Sequence, residues 1–298
     1  MFLDNLNIDP IAFTIPIGEN GFPIYWYGII ITAGIIIGSI WGAREIGKRG
    51  EDPDELYNGL ILVVLAGYFF ARIGYVVLDI MGGAQYSGIG EWLNIRQGGV
   101  NILTGFIGAV VVGWLFLTFR NLKLWHFADV TGPILLLAQG IGRWANFINQ
   151  ELYGQPTGSN WGILIDPRNR LSQYADLSLY PADTRFHPTF LYESVWLILG
   201  FIVLTMLNRT NRDKWPAGVL FGIFLIWWGL GRVVIEFFRP DQTIFIEPIT
   251  WSMVLAALIA LAGVFVILNR TGRINVGTAP GQRKRKQLRP KPDRSQRN

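Results

Sequence analysis

Long apolar stretches recur along this chain and are separated by short polar segments. Each of seven stretches is long enough to cross about 30 Å of hydrocarbon at about 1.5 Å per residue. They cover residues 22–43, 57–78, 101–119, 127–148, 188–207, 215–238 and 248–268. The strands of a membrane barrel would alternate apolar and polar residues, which these stretches do not. The pattern therefore predicts an all-α, polytopic membrane protein with seven transmembrane helices.

Composition supports this prediction. The chain is 51% hydrophobic and only 16% charged, well below the ~25% charged residues of an average soluble domain. It contains no cysteine, which excludes a disulfide framework, a thiolate metal site and a cysteine nucleophile. The first ten residues, MFLDNLNIDP, include acidic residues and no apolar core, so we expect no cleavable signal peptide.

The basic residues predict the orientation of the helices. Most of them fall in alternate connections, at 44–49, 120–123 and 209–214, and in the segment that follows residue 269. The positive-inside rule then places the N-terminus outside the cytoplasm and the C-terminus inside it. We expect residues 1–275 to form the membrane domain and the basic residues 276–298 to form a disordered tail. For that tail, an anchor beside anionic lipid is favoured over nucleic-acid binding.

The longest connection lies between the fourth and fifth predicted helices. Residues 149–186 contain Gly154, Pro156, Gly158, Pro167 and Pro181 among several polar residues. A connection of this length is rarely structureless unless it is functional or forms a unit of its own. We therefore predict a small extracytoplasmic head at residues 149–186.

Polar groups gather at the extracytoplasmic ends of six predicted helices. In chain order they are Tyr27; Arg72 and Tyr75; Asn101 and Thr104; Arg143, Asn146, Asn149 and Glu151; His187, Tyr192 and Glu193; and Trp228, Arg232, Glu236 and Arg239. Arg143, Asn146 and Gln150 on the fourth helix recur at three- and four-residue steps, as do the four residues on the sixth, so each set lies along one helix face. An ionisable group in hydrocarbon costs at least ~2.5–3.5 kcal/mol, which indicates that this depth holds a polar site.

Two interpretations of these groups stay open. Ion pairs such as Arg232–Glu236 and Arg143–Glu151 would hold helices together, with Glu193 and Glu236 only orienting the arginines. Alternatively, the arginines bind a phosphate, whose oxygens match the fork of guanidinium donors. Because the chain offers no cysteine, Gly-x-Ser-x-Gly or His-Glu-x-x-His motif, a nucleophile would arrive with a substrate. These residues indicate an enzyme or a transporter that acts on anionic lipid.

Several motifs, taken in order, resemble the prolipoprotein diacylglyceryl transferases of bacterial inner membranes. The principal motif is GRWANFINQE at residues 142–151, followed by Gly154. The others are WYG at 26–28, RIGY at 72–75, AD at 128–129, HPTFLYE at 187–193 and GRVVIEFFRPD at 231–241. The resemblance covers most of the membrane portion and also implies seven spans with an extracytoplasmic N-terminus.

The resemblance implies a reaction and roles for particular residues. Phosphatidylglycerol would donate its diacylglyceryl group to the thiol of a lipobox cysteine in a prolipoprotein, forming a thioether and releasing glycerol phosphate. The implied catalytic set is Arg143, Arg232, Glu151 and Asn146. The implied substrate-binding set is Tyr27, Arg72, Asn149, Gly154, His187, Tyr192, Glu236 and Arg239. Arg143 and Arg232 would hold the phosphate, Arg239 would assist, and Glu236 would pair with these arginines. Neither a cofactor nor a metal is implied.

Two departures from the family pattern affect these roles. Leu103 stands where the family usually has a histidine, and Trp228 stands where it often has tyrosine. Leucine cannot move a proton, so the base would be another group, and His187 and Glu151 are the candidates. A catalytically impaired relative that binds anionic lipid or lipopeptide is therefore one alternative. An anionic-lipid transporter is another, although the inner halves of the first, third, fifth and seventh helices look almost wholly apolar.

Overall fold

The computed structural model describes residues 8–17, 21–94 and 98–274. Its helices are α1 (Trp26–Gly47), α2 (Pro53–Met81), α3 (Ile89–Trp92), α4 (Ile102–Phe119), α5 (Leu124–Ile148), α6 (Thr189–Asn211), α7 (Val219–Glu236) and α8 (Trp251–Arg270). The chain also forms three antiparallel pairs of short strands outside the helices. They are β1 (Ile11–Ile15) with β2 (Phe22–Tyr25), β3 (Ile163–Leu164) with β4 (Arg185–Phe186), and β5 (Ile244–Ile246) with β6 (Ile249–Thr250). The fold is mostly helical, in line with the all-α prediction, and the short strand pairs are additions that the prediction did not include. The predicted tail at 276–298 lies outside the described residues.

Six of the described helices are long and apolar enough to cross a membrane: α1, α2, α4, α6, α7 and α8. The chain is therefore a multi-pass membrane protein. The remaining long helix, α5, is 25 residues long and carries Asp129, Gln139, Arg143 and Asn146, which lower its average hydropathy.

The position of α5 explains why it tolerates polar residues. It packs against α1, α6 and α7, while α2 pairs with α4 and α7 pairs with α8. Val130, Leu136 and Ala145 of α5 are fully buried. A helix enclosed by other helices need not present an apolar surface to lipid, because its polar groups find partners inside the protein.

The predicted helix boundaries differ from the observed ones by about one helical turn or less. The first apolar stretch begins too early, because Phe22–Tyr25 is a strand paired with β1. A short apolar run does not distinguish a strand from a helix. Helix α2 begins earlier than predicted, since the Asp52 side chain accepts from the backbone N–H of Asp54 at 2.9 Å and Pro53 occupies the first turn.

Close packing of α7 on α8 depends on glycine. A Cβ at Gly222 would stand 2.8 Å from the carbonyl oxygen of Gly263, so a side chain there would force the helices apart. Gly38 is in similarly close contact with Ile134 of α5, whereas Gly28 faces open space. Gly38 and Gly222 therefore permit close helix packing, whereas Gly28 has no such role.

The segment between α5 and α6 folds on a small core of its own. Its buried residues are Tyr153, Ile163, Ile165, Tyr174 and Phe186, joined by Phe190 at the start of α6. Arg170 is buried within it and donates to the carbonyl oxygens of Ile165, Tyr180, Pro181 and Ala182. The segment is therefore an ordered unit, which we call the head segment.

A group of buried charged residues lies at the end of the bundle where α5 begins. The Nη1 atom of Arg49 lies 3.2 Å from Oδ2 of Asp129, and its Nη2 donates to Asn208 at 2.7 Å. Asn208 in turn donates to Glu45 at 2.7 Å. Polar side chains therefore lie at these ends of α1 and α6. We call this the Asp129 end and the opposite one, where α5 finishes, the Arg143 end.

Candidate functional site

The last turn of α5 begins a chain of polar contacts at the Arg143 end. Nη1 of Arg143 donates to Oδ1 of Asn146 at 3.3 Å, and Nδ2 of Asn146 donates to Oε1 of Glu151 at 2.8 Å. The amide of Asn149 also reaches Glu151, at 3.4 Å. Arg143 and Asn146 meet because residues three apart share a helix face. The expected Arg143–Glu151 ion pair is not among the described contacts, and Asn146 links the two side chains instead.

Glu193, in the first turns of α6, joins two arginines from different helices. Its Oε2 lies 2.5 Å from Nε of Arg143, and its Oε1 lies 3.5 Å from Nη1 of Arg232 on α7. All three side chains are largely buried but retain some exposure. Because Glu193 forms an ion pair on both sides, it fixes the separation of the two guanidinium groups.

Glu236 anchors Arg232 from one turn farther along α7. Nη2 of Arg232 lies 2.9 Å from Oε2 of Glu236, a charge contact without hydrogen-bond alignment. The other carboxylate oxygen, Oε1, accepts from the hydroxyl of Thr250 at 2.7 Å. The expected Arg232–Glu236 pair is therefore present, and Thr250 extends it to the N-terminus of α8, where its hydroxyl also caps Met253 at 3.2 Å.

Arg239, just beyond α7, pairs with Asp241 through two parallel contacts. Nε lies 3.1 Å from Oδ1, and Nη2 lies 2.8 Å from Oδ2. Burial by itself raises the pKa of Asp241, but the hydrogen bond and the charge of Arg239 outweigh it and lower that pKa. Arg239 also lies close enough to Arg232 for their like charges to interact. Three arginines therefore gather at one end of the bundle.

A groove of about 800 Å³ runs along α1 beside this cluster. Tyr27 and Asn149 line its polar end, and the charges of Glu151 and Arg143 act on the Tyr27 hydroxyl. Farther along, the groove is lined by Gly28, Ile29, Thr32, Ala33 and Ile36. It is an apolar path along a candidate membrane-spanning helix, and Asn149 at its polar end contacts Glu151.

His187, Tyr192 and Gly154 lie where the head segment meets α6 and α7. Nδ1 of His187 lies 3.0 Å from the Tyr192 hydroxyl, and both rings pack against Phe238. Gly154 donates its N–H to the carbonyl of His187 at 2.9 Å, and a Cβ there would stand 2.8 Å from the Phe238 oxygen. Gly154 thus permits close approach of the head segment to the end of α7.

Arg72 is not brought into the cluster by any described contact. Its guanidinium donates to the carbonyl oxygens of Glu91, Trp92, Gly98 and Gly99, at 2.6–3.0 Å. The side chain is buried and lies against the Tyr75 ring. These contacts pin the connection between α2 and α4 to α2, which is a structural role.

Comparison with known proteins identifies the family. The family model described as prolipoprotein diacylglyceryl transferase matches residues 10–269. Similar curated proteins are the phosphatidylglycerol–prolipoprotein diacylglyceryl transferases of Bacillus cereus and Bacillus anthracis. Each is 37% identical over 253 residues, covering 84% of this chain and 89% of the relative. This chain belongs to the prolipoprotein diacylglyceryl transferase family.

The two departures from the family pattern occupy different surroundings. Leu103 is 61% exposed on the first turn of α4, where the side chain of Asn101 caps the helix by accepting from Thr104 at 3.0 Å. Trp228 lines a cavity together with Arg143, Glu193 and Arg232, and its indole N–H donates to Gln139 at 3.0 Å. The indole thus supplies a hydrogen-bond donor in place of a tyrosine hydroxyl.

Sequence reasoning underestimated three members of the cluster. The sequence predicts for Glu193 only a role in orienting arginines, yet its carboxylate contacts Arg143 on α5 and Arg232 on α7. Asp241 and Thr250 were not considered as partners of Arg239 and Glu236. Asp241 follows Arg239 by two residues, and this short spacing indicates that the two side chains can form an ion pair. The Thr250 contact depends on how β6 returns the chain to α7, which no local pattern indicates.

Proposed function

We propose that this chain transfers the diacylglyceryl group of phosphatidylglycerol to the lipobox cysteine thiol of a prolipoprotein, and that Arg143, Arg232 and Arg239 receive the phosphate. One observation carries the proposal: three guanidinium groups converge beside an apolar groove along a membrane-spanning helix. A phosphate oxygen pair matches the donor fork of arginine. A lipid could place its headgroup at the arginines while an acyl chain follows the groove past Gly28.

The cluster suits a reaction in which phosphate is the leaving group. The cysteine sulfur forms a bond to a glycerol carbon while the bond from that carbon to the phosphate oxygen breaks. The electron pair departs with glycerol phosphate, whose extra negative charge develops beside the arginines. Donors that are already in place stabilise this charge without reorganising, which lowers the barrier. Asn146 and Glu193 keep Arg143 aligned, and Glu236 does the same for Arg232.

The thiol proton requires an acceptor, and we propose Glu151. Its carboxylate is exposed, and its described contacts are to the amides of Asn146 and Asn149 rather than to an arginine. It is joined to Arg143 through Asn146, so it is tied to the phosphate-binding end. His187 is the alternative acceptor, but its Nδ1 atom is engaged by Tyr192. Leu103 takes no part in this scheme.

The proposal includes a topology. All seven long helices, α5 included, would span a bacterial inner membrane, with the N-terminus outside and the C-terminus in the cytoplasm. The head segment would then lie outside the cytoplasm, on the side where a prolipoprotein presents its lipobox. The concentration of basic residues near Arg49, Arg120 and Arg212 supports this orientation.

The test uses purified protein in membranes that contain phosphatidylglycerol and a lipobox peptide. Wild-type protein should yield a peptide heavier by one diacylglyceryl group, measured by mass. Arg143→Ala should abolish product, and Glu151→Gln should lower turnover at least about tenfold while phosphatidylglycerol still binds. Arg168→Ala is the matched control, since that arginine is exposed in the head segment. Absence of product from folded, lipid-binding wild-type protein would favour the catalytically impaired relative and refute the enzyme.

A further inference from the structure

The charges at the Arg143 end are balanced by neighbouring carboxylates. Glu193 neutralises Arg143 and Arg232, Glu236 also contacts Arg232, and Asp241 pairs with Arg239. A lipid phosphate that binds these arginines must therefore compete with a carboxylate that already occupies them. One of these carboxylates must therefore release its arginine when the phosphate binds.

The surroundings of the three carboxylates identify which one can separate from its arginine at the lowest cost. Glu236 has a fully buried side chain and is also held by Thr250. Glu193 is shared by two arginines, so its departure would release both. Asp241 has a side chain that is 25% exposed, and beyond Arg239 its described side-chain partner is Gln242, at 3.2 Å. Moving Asp241 into water costs least, because an exposed carboxylate regains hydration that a buried one cannot.

The backbone on both sides of Arg239 is held in place by the head segment. The N–H of Gln155 donates to the carbonyl of Phe238 at 2.9 Å, and Gln173 reaches the carbonyl of Pro240 at 3.4 Å. Arg239 itself has a side chain only 7% exposed. An exchange of partners is therefore a rotation of the Asp241 side chain, with Arg239 remaining where it is.

We propose that Asp241 is a displaceable counter-ion, which holds Arg239 before substrate binds and yields it to the phosphate of an anionic phospholipid. Asp241 is then a positioning residue that sets the affinity for the lipid donor. This inference rests on the proposed phosphate site and deepens it. It predicts that removal of the Asp241 charge strengthens lipid binding, whereas a purely structural Arg239–Asp241 pair predicts weakening.

The head segment contains a matched pair for comparison. Arg168 contacts Asp166 with Nε to Oδ1 at 3.1 Å and Nη2 to Oδ2 at 2.7 Å, almost the geometry of Arg239 with Asp241. Both pairs join residues two apart in sequence. The Arg168 side chain is 87% exposed, however, and has no described contact with the cluster. Asp166→Asn therefore removes an equivalent ion pair from outside the proposed site.

The experiment measures binding of phosphatidylglycerol to full-length protein, with bound lipid counted by native mass spectrometry. Asp241→Asn should lower the dissociation constant about fivefold, because the phosphate no longer competes with a carboxylate. Asp241→Glu, which keeps the charge, should have the wild-type dissociation constant, and Asp166→Asn should leave that constant unchanged. In the transfer assay, Asp241→Asn should lower KM for phosphatidylglycerol without raising kcat, since product glycerol phosphate is also held more tightly.

Weaker or unchanged lipid binding in Asp241→Asn would overturn the inference, as would an equal effect of Asp166→Asn or a failure of Asp241→Glu to restore wild-type binding. The binding arm does not depend on turnover. If wild-type protein binds phosphatidylglycerol but transfers nothing, the proposed reaction fails, while tighter binding by Asp241→Asn would still support the displaceable counter-ion.

Discussion

Glu193→Gln is the substitution that most directly tests the architecture of the cluster. Glutamine has nearly the same size, but it offers one acceptor oxygen and one NH2 donor instead of two anionic oxygens. Whichever way the amide turns, its NH2 faces one of the two guanidinium groups that Glu193 now joins, at 2.5 Å from Arg143 and 3.5 Å from Arg232. The variant therefore loses both charge contacts and creates one repulsive contact.

The size of the effect follows from burial. Breaking a fully buried ion pair costs about 3–5 kcal/mol, and an exposed pair contributes less than about 1 kcal/mol. Arg143 and Arg232 keep partial exposure, so we expect a loss of about 2 kcal/mol. By the scaling for soluble domains of 150–250 residues, this corresponds to a melting temperature lower by about 4–8 °C. Turnover should fall about tenfold to a hundredfold, since the arginines are no longer held in place.

The assay is thermal unfolding of purified protein, together with the transfer reaction. Glu55→Gln is the matched control, because Glu55 pairs with Arg120 at the Asp129 end and Arg120 is more than half exposed. That variant should lose less than about 1 kcal/mol. If Glu193→Gln melts no lower than Glu55→Gln and turns over normally, Glu193 does not hold the arginines and the description of the cluster is wrong.

Two further experiments test the head segment and the topology. Gly154→Ala should destabilise the protein by about 1–3 kcal/mol, measured as a lower melting temperature, because its Cβ would meet the Phe238 oxygen and His187; Gly158→Ala, which faces open space, is the control. The cysteine-free chain allows single exposed cysteines to be labelled: Asp183→Cys should react with an impermeant maleimide on intact spheroplasts and Asp213→Cys only after lysis. The reverse pattern would refute the proposed orientation.

Much of the helical framework was predictable because the membrane imposes it. A spanning segment must be about 20 residues long and mostly apolar, so the six candidate spans, and α5 among them in the bundle, could be located to within about one turn. The predicted start of the first helix was wrong, because Phe22–Tyr25 is apolar but forms a strand with Ile11–Ile15, which lies just before it in the chain. Neither the strand pair of the head segment, β3 with β4, nor β5 with β6 carried a pattern strong enough to be recognised.

The candidate site was predictable to the extent that helix periodicity determines it. Arg143 and Asn146 share a helix face, as do Arg232 and Glu236, and those contacts are present. Contacts between helices were not predictable, because spacing along one helix says nothing about which neighbour faces it. For that reason Arg72, which belongs to the same family motifs, could not be separated by sequence from the arginines of the cluster. Its backbone carbonyl partners are visible only in the fold.

The two ends of α5 differ in a way that argues for chemistry at one end only. Asp129 accepts from Arg49 and from the backbone N–H groups of Gly218 and Phe221, at 2.8–3.2 Å, and both charged side chains are less than one-tenth exposed. A pair so enclosed has no carboxylate that can leave without stranding a buried charge. At the Arg143 end, Asp241 and Glu151 are accessible and can change partners. The buried Arg49–Asp129 network at the Asp129 end is therefore fixed and joins helices, whereas carboxylates at the Arg143 end can change partners. A transporter would need exchangeable groups inside both ends of the bundle, whereas a transferase needs them only where its substrates meet.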